Sequence, residues 1–185
     1  ERAAGTALDV LVGAEVIRPL GLSRTRFGPV EGAAATAACP WRGRTLAGEV
    51  HDDNAWTMGG ISGHAGLFST ASDIARFAAA WLAALRGEGD LLPRETAREA
   101  IRRRPSGRGL GFDLKSGVDS SAGALMSPDA FGHLGFTGCS LWIDPERGCA
   151  VALLTNRVHE SADLSGIRAF RPRFHDSILR EIDPL

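Results

Sequence analysis

The chain contains no tyrosine and a single lysine, Lys115, among its 185 residues. A tyrosine general base is therefore excluded from this chain. A serine paired with a lysine three positions later is excluded as well, because Phe112 occupies the position three residues before Lys115. Any catalytic mechanism that needs either group cannot be completed by these residues alone.

Cysteine, net charge and long apolar runs are also scarce. Cys39, Cys139 and Cys149 are too few and too irregularly spaced for a disulfide framework or a zinc site, so we expect free thiols. A net charge of −1 gives no indication of a nucleic-acid partner. No run approaches the ~18 apolar residues of a membrane span, and residues 1–20 lack the layout of a signal peptide. We expect no metal and no cofactor.

The composition, 44% hydrophobic and 23% charged, is typical of one globular domain or the larger part of one. Apolar residues at helical spacing, together with capping and stop residues, indicate four helices. These are residues 6–18 ended by Pro19, residues 74–85 capped by Ser72 and stopped by Gly87, a helix from Pro93 to about Arg103 with three arginines in its last turn, and a helix beginning at Pro172.

The strongest strand signal is a hairpin. Residues 141–143 lead into the turn Asp144-Pro145-Glu146-Arg147-Gly148, and residues 149–154 return. The return strand is apolar on both faces, which predicts a central strand covered by helices on both sides. Residues 20–50 read as loop with short strands, and 109–115 as a weak strand. This order predicts an α+β fold with an antiparallel sheet that is incomplete.

Two polar regions are candidates for chemistry. The first is the run His51-Asp52-Asp53-Asn54 together with His64, in a glycine-rich stretch. We interpret it as a polar loop whose His and Asp side chains bond neighbouring backbone, as a substrate-lining loop or as a set of metal ligands, although its spacing fits no helical metal motif. Ser62 lies in Gly-Ile-Ser-Gly-His, which lacks the last glycine of a nucleophile elbow, so we do not predict it as a nucleophile. The second region surrounds His133, which is either an ordinary strand-edge histidine or a functional one.

The remaining histidines and the tryptophans suit structural roles. His159 and His175 are predicted to be surface or capping residues. Trp81 and Trp142 are predicted to be core residues, and Trp56 either a core residue or the wall of a pocket.

Four stretches resemble the β-lactamase-related serine hydrolases, the family of class C β-lactamases, DD-peptidases and allied esterases. They are VIRPLGLSRTRF at 16–27, GGISGHAGLFSTASDIARF at 59–77, the overlapping VHDDNAWTMGGISGHAGLFST at 50–70, and GHLGFTG at 132–138. The last matches the family's third motif, Lys-Thr-Gly in β-lactamases and often His-x-Gly in relatives. The resemblance covers nearly the whole chain in consistent order.

The resemblance implies the C-terminal part of one β-lactamase/transpeptidase-like domain spanning 1–185, with an antiparallel sheet flanked by helices. The family's nucleophile and lysine, in Ser-x-x-Lys, and its second motif, Tyr-x-Asn, lie upstream of the matched region. This chain is therefore expected to be inactive by itself. The alternative is a truncated or degenerate module that binds without turnover.

The resemblance also assigns roles to residues of the third motif. His133 is expected to face the substrate, and the backbone N–H of Phe136 to donate to the oxyanion. Gly135 lets the substrate backbone approach closely. Leu134 stands where Thr or Ser is frequent, and a His-Leu pair cannot anchor the carboxylate of a β-lactam as Lys-Thr does. We therefore expect an ester, amide or peptide substrate, bound by Leu134, Gly135, Thr137, His51 and His64.

The expected partners are a small-molecule or peptide substrate and, for an incomplete sheet, the enzyme's own N-terminal part or a second copy of the chain. The resemblance indicates a bacterial protein and leaves its compartment open between cell envelope, periplasm and cytoplasm.

Overall fold

The computed structural model describes residues 1–117, 119–159 and 163–182, which form two compact units. The first unit contains residues 1–76 and 156–159, and the second contains 77–155 and 163–182. Helices and mostly antiparallel strands are mixed along the chain, which confirms the predicted α+β class. Within these ranges no helix is long and apolar enough to cross a bilayer.

The first unit is built from short elements. Its helix α1 continues directly into a π-helical turn at Gly13–Ile17. Two antiparallel pairs follow, β1 with β4 and β2 with β3. The bounds are α1 Leu8–Val12, β1 Arg26–Phe27, β2 Ala35–Cys39, β3 Arg44–Ala47, α2 Asp53–Thr57 and β4 Leu67–Phe68.

A long helix, α3 at Ala71–Arg86, leads from the first group of elements into the second. The second unit also contains a four-stranded antiparallel sheet in the order β5-β6-β7-β8. The bounds are α4 Arg94–Ile101, β5 Asp113–Leu114, β6 Phe131–Leu134, β7 Ser140–Asp144, β8 Cys149–Leu153 and α5 Ser165–Ile182.

The sheet of the second unit has an apolar layer on each face. On one face Phe131 and Ile143, both fully buried, pack with Trp81 of α3. On the other, Trp142 and Val151 pack with Leu179 of α5. Since adjacent side chains of a strand point to opposite faces, Trp142 and Ile143 of β7 serve different layers. Helices therefore cover both faces of the hairpin, as its sequence predicts.

The return strand lies at an edge of the sheet that this chain forms. β8 pairs with β7 alone among the described residues, which agrees with the expected incomplete sheet, and its central position in a complete sheet stays a prediction. Its apolar character on both faces is explained by Ala150 in one layer and Val151 in the other. The apolar pattern of the strand predicts cover by helices on both faces, and it does not predict how many strands pair with it.

Helix boundaries also differ from the sequence prediction. α3 begins at Ala71, and the hydroxyl of Thr70, not that of Ser72, accepts from the N–H of Asp73 at 3.4 Å. α4 ends at Ile101, so the three arginines lie beyond its last turn. α5 begins at Ser165, with Pro172 inside it. A proline removes one helical hydrogen bond, which the packing of this helix offsets.

Two aromatic side chains are placed differently from the prediction. Trp56 is 38% exposed and forms an edge-to-face pair with Trp41, so it is not a core residue. Trp81 and Trp142 are buried as predicted. His175, predicted at the surface, has no exposed area. The thiols of Cys39 and Cys139 are free, as predicted.

His175 is held by two polar neighbours inside the second unit. Its Nδ1 lies 2.8 Å from the carbonyl oxygen of Ser121, which can only accept, so Nδ1 carries the proton. Its Nε2 then accepts from the hydroxyl of Ser140 at 3.2 Å. Burial lowers the pKa of this imidazole below the ordinary value of 6.5.

We expect this imidazole to make the fold sensitive to acid. The unfolded chain takes up a proton as the pH falls below about 6.5, whereas the buried imidazole resists protonation. The free energy of unfolding should therefore be highest above that pH and fall below it, towards the lower pKa of the folded state. Denaturant titrations from pH 8 to pH 5 should show a weaker pH dependence for His175→Gln than for the matched exposed variant His159→Gln. Equal pH dependence of the two variants would refute the assignment.

Candidate active site

The residues of the third motif lie at the end of β6 and in the turn that follows. Within β6, Phe131 and Gly132 are buried, whereas His133 is exposed. Leu134 and Gly135 are half-buried. The chain here emerges from the core, so the motif is presented on an accessible edge.

Gly132 is required by the sheet itself. A Cβ at this position would collide with the backbone carbonyl of Leu141 on the neighbouring strand. At Gly135 a Cβ would lie 3.3 Å from the Cβ of Cys139, which is tight but not prohibitive. The predicted role of Gly135, close approach of a substrate backbone, remains a prediction.

The turn after β6 is closed by its own backbone. The N–H of Gly135 donates to the Cys139 carbonyl at 2.7 Å, and the N–H of Gly138 donates to the Gly135 carbonyl at 3.0 Å. Gly138 has a φ of 106°, a backbone conformation that residues other than glycine rarely adopt. The turn contains Phe136, which is 65% exposed, and the half-buried Thr137.

The side chain of Arg171, which lies on α5, holds this turn in place. Its buried guanidinium donates to the carbonyls of Gly135 at 2.8 Å, Gly138 at 3.1 Å and Cys139 at 2.9 Å. Such charge-assisted bonds each contribute about 1.5–3 kcal/mol. This contact could not be predicted from the sequence, because Arg171 lies 33 residues beyond Gly138 and directly before a proline that suggested a helix start.

His133 is held in one tautomer. Its Nε2 lies 3.0 Å from Nη2 of Arg108, and a guanidinium can only donate, so Nε2 accepts. Its Nδ1 lies 2.9 Å from the Leu134 carbonyl and therefore donates. Arg108 also forms an ion pair with Asp113 of β5. The motif thus carries a neutral imidazole with a cation beside it.

The second predicted cluster lies in the first unit. Nε2 of His64 is 3.0 Å from Oδ1 of Asp52, and Nδ1 of His64 is 2.6 Å from Oγ of Ser62. His51 is half-buried, and its carbonyl accepts from Arg42 at 3.4 Å. Substrate binding by His51 and His64 remains a prediction. The sequence predicted hydrogen bonds from the His and Asp side chains of this loop to neighbouring backbone, but it did not predict the contact between His64 and the Ser62 hydroxyl.

Lys115, the only lysine, is used structurally. It is buried, and its Nζ donates to the carbonyl of Ala124 at 3.1 Å and also to the carbonyl of Met126. It therefore fixes the segment that precedes β6. Within the described ranges, no group of three or more His, Cys, Asp or Glu side chains is arranged to hold a metal ion.

A comparison of this sequence with known proteins identifies the family to which the chain belongs. Residues 1–171 match the family described as Beta-lactamase. The chain is 35% identical over 175 residues to proteins of Salmonella agona and Salmonella typhi that carry the name D-alanyl-D-alanine carboxypeptidase. These matches include 82% of this chain but 40% of each relative, so the chain spans well under half the length of these relatives.

Solved structures have the same fold. A β-lactamase from Mycobacterium bovis superimposes with a TM-score of 0.65 at 22% identity, over 97% of this chain and 58% of that protein. Simvastatin synthase from Aspergillus terreus gives 0.68 at 18% identity, over 99% and 52%. A penicillin-binding-protein homologue from Caulobacter crescentus gives 0.60 at 19%, over 94% and 53%. By its sequence match over residues 1–171, the chain belongs to the Beta-lactamase family.

Proposed function

We propose that this chain supplies one wall of the active site of a serine hydrolase that works by acyl-enzyme chemistry on an ester, amide or peptide. The nucleophile and its base are contributed by a Ser-x-x-Lys segment outside these 185 residues. By this proposal the isolated chain has the binding wall and lacks the reacting hydroxyl.

The observation that carries the proposal is the exposed and preorganised end of β6. His133 and Phe136 are accessible, and the turn between β6 and β7 is held by Arg171 through three carbonyl oxygens. Rigid support from a buried cation is what a binding edge needs, because catalytic donors act only when their positions are fixed before reaction.

Each residue of this edge has a proposed role. The backbone N–H of Phe136 donates to the oxyanion, a contribution of about 10²–10³ in rate for a preorganised donor. Gly135 leaves room for the substrate backbone, and Leu134 and Thr137 contact the substrate on either side. These roles come from the resemblance of GHLGFTG to the family motif.

Arg108 refines the role of His133. Because the guanidinium donates to Nε2, the imidazole is neutral and its ring plane is set by two hydrogen bonds. The cation that a Lys-Thr-Gly motif places on the strand is here supplied by Arg108. A neutral imidazole beside a cation is suited to polar contact with an acyl group and to attraction of a nearby carboxylate.

The names of the Salmonella relatives favour a peptide that ends in D-alanyl-D-alanine among the possible substrates. The test is release of D-alanine from a diacetyl-lysyl-D-alanyl-D-alanine peptide by the whole enzyme that contains this chain. Turnover of the peptide that disappears when the serine of Ser-x-x-Lys is replaced by alanine supports the proposal. Saturable peptide binding with no turnover of peptides or esters would instead indicate the non-catalytic binding module.

A further inference from the structure

Asp52, His64 and Ser62 form a continuous hydrogen-bonded chain within the first unit. Asp52 Oδ1 lies 3.0 Å from His64 Nε2, and His64 Nδ1 lies 2.6 Å from Ser62 Oγ. A carboxylate, an imidazole and a hydroxyl linked in this order are the groups that activate a nucleophilic serine: the carboxylate orients the imidazole, and the imidazole acts as the base for the hydroxyl. The ring nitrogens are used in the opposite order from that of the serine proteases.

The carboxylate fixes the tautomer of the imidazole. The backbone N–H of Ala55 donates to Asp52 at 2.8 Å and, together with His64, lowers the pKa of this carboxyl group. Asp52 is therefore ionised near neutral pH and can only accept a hydrogen bond, so Nε2 of a neutral His64 carries the proton. Nδ1 is then the acceptor, and the Ser62 hydroxyl donates to it. This is the arrangement in which an imidazole can remove the hydroxyl proton.

The surrounding loop holds these groups in place. Asp52 is the N-cap of α2, and the N–H of Gly60 donates to the Ala55 carbonyl at 2.8 Å. Gly66 has a φ of 119°, and a Cβ there would collide with the carbonyl of Gly60. The loop that presents Ser62 is therefore closed by backbone contacts on both sides of the serine.

The imidazole end of this chain of groups is exposed to solvent. The side chain of His64 is 52% exposed, and Ser62 as a whole retains 7% of its area. A Cβ built on Gly60 or on Gly63 would meet no heavy atom of the described residues within 4 Å, so the backbone on either side of Ser62 is unobstructed at these two positions.

We propose that Ser62 is a nucleophilic serine that reacts with electrophilic phosphonyl groups, with His64 as its base. With a fluorophosphonate, Ser62 Oγ attacks phosphorus while its proton passes to His64 Nδ1. The new O–P bond forms, the P–F bond breaks and fluoride leaves. His64 then returns the proton to solvent. Asp52 acts as a positioning residue, because it contacts the imidazole and not the reagent.

This proposal is independent of the acyl-enzyme function proposed above. It concerns a hydroxyl within residues 51–66, whereas that function places its nucleophile outside the chain. A phosphonylated serine is stable, so the reaction gives one adduct per chain and no turnover.

The test is mass-spectrometric peptide mapping of the 185-residue chain after treatment with an alkyl fluorophosphonate. We expect the adduct on Ser62, with a rate about 10²-fold higher than that of His64→Gln, as for loss of a general base. Asp52→Asn retains a good helix cap and removes the charge, so its labelling rate should fall while its melting temperature is preserved.

Ser69 is the internal control, because its hydroxyl contacts the hydroxyl of Thr25 at 2.7 Å and no imidazole in the described contacts. Its labelling should stay at the background of exposed serines in the same digest. The proposal is overturned if folded wild-type chain gives no adduct on Ser62, or if folded His64→Gln labels as fast as wild type.

Discussion

The purified 185-residue chain is expected to turn over neither nitrocefin, nor p-nitrophenyl acetate, nor a D-alanyl-D-alanine peptide. Loss of the nucleophile of a serine hydrolase costs about 10⁶ in rate. The sequence contains no serine followed three residues later by lysine, and its only lysine is buried against the carbonyls of Ala124 and Met126. By the proposed function this wall binds and orients a substrate, and the acyl-enzyme forms on a serine outside it.

The matched control is the longer enzyme that carries a Ser-x-x-Lys segment ahead of this chain, assayed at equal molar concentration. Initial rates and product after at least ten equivalents of substrate separate turnover from single labelling. Catalytic turnover by the folded 185-residue chain would show that its own residues complete a hydrolytic site, and the assignment of the nucleophile to an outside segment would be wrong.

Replacing His133 by alanine in the whole enzyme should lower kcat/KM by at least about 10-fold. This is less than the range for an acid–base group, because in the proposed function His133 lies beside the nucleophile and is not its primary base. The side chain is exposed and its two hydrogen bonds are to Arg108 and a local carbonyl, so its removal should change the melting temperature little. The measurement is kcat/KM across pH 5–9 for wild type and variant.

His159→Ala is the control, since His159 is exposed and its Nδ1 bonds only the Thr36 carbonyl among its described contacts. His175→Ala is not a suitable control: this histidine is fully buried, and its loss would destabilise the fold. Arg108→Met adds a second arm, because losing the donor to Nε2 should alter the pH profile of activity while His133 is still present. Wild-type kcat/KM in folded His133→Ala at every pH would remove this motif from the active site.

The local parts of the fold were predictable from the sequence. The hairpin of β7 and β8 was identified from two apolar runs and a turn that begins with Asp-Pro, and the observed register pairs Asp144 with Cys149. Trp81 was placed in the core by helical periodicity. Such patterns need only neighbours within a few residues, so sequence alone is enough.

Contacts between distant segments were not predictable. Arg108 reaches His133 across 25 residues, and Arg171 reaches the turn before β7 across more than 30. An arginine in a loop or beside a proline is typical of a solvated surface, and only the folded chain shows that these two hold the motif. The burial of His175 was missed for the same reason, because its partners Ser121 and Ser140 lie far away in sequence.

The position of β8 shows what an apolar pattern can predict and what it cannot. A strand apolar on both faces must be covered on both faces, and helices provide that cover here. The pattern carries no information on how many hydrogen-bonded neighbours the strand has. Side-chain burial and strand pairing are separate properties, and only the first is encoded in the alternation of residues.

The central claim is that this chain completes an active site whose acylated serine lies in another segment. Trapping the acyl-enzyme that the whole protein forms with an ester analogue of its peptide substrate, by acid quenching during turnover and peptide mapping, tests it most directly. We predict the peptidyl acyl group on a serine followed three residues later by lysine and outside the 185 residues. The peptidyl acyl group on a serine within the 185 residues would contradict the account.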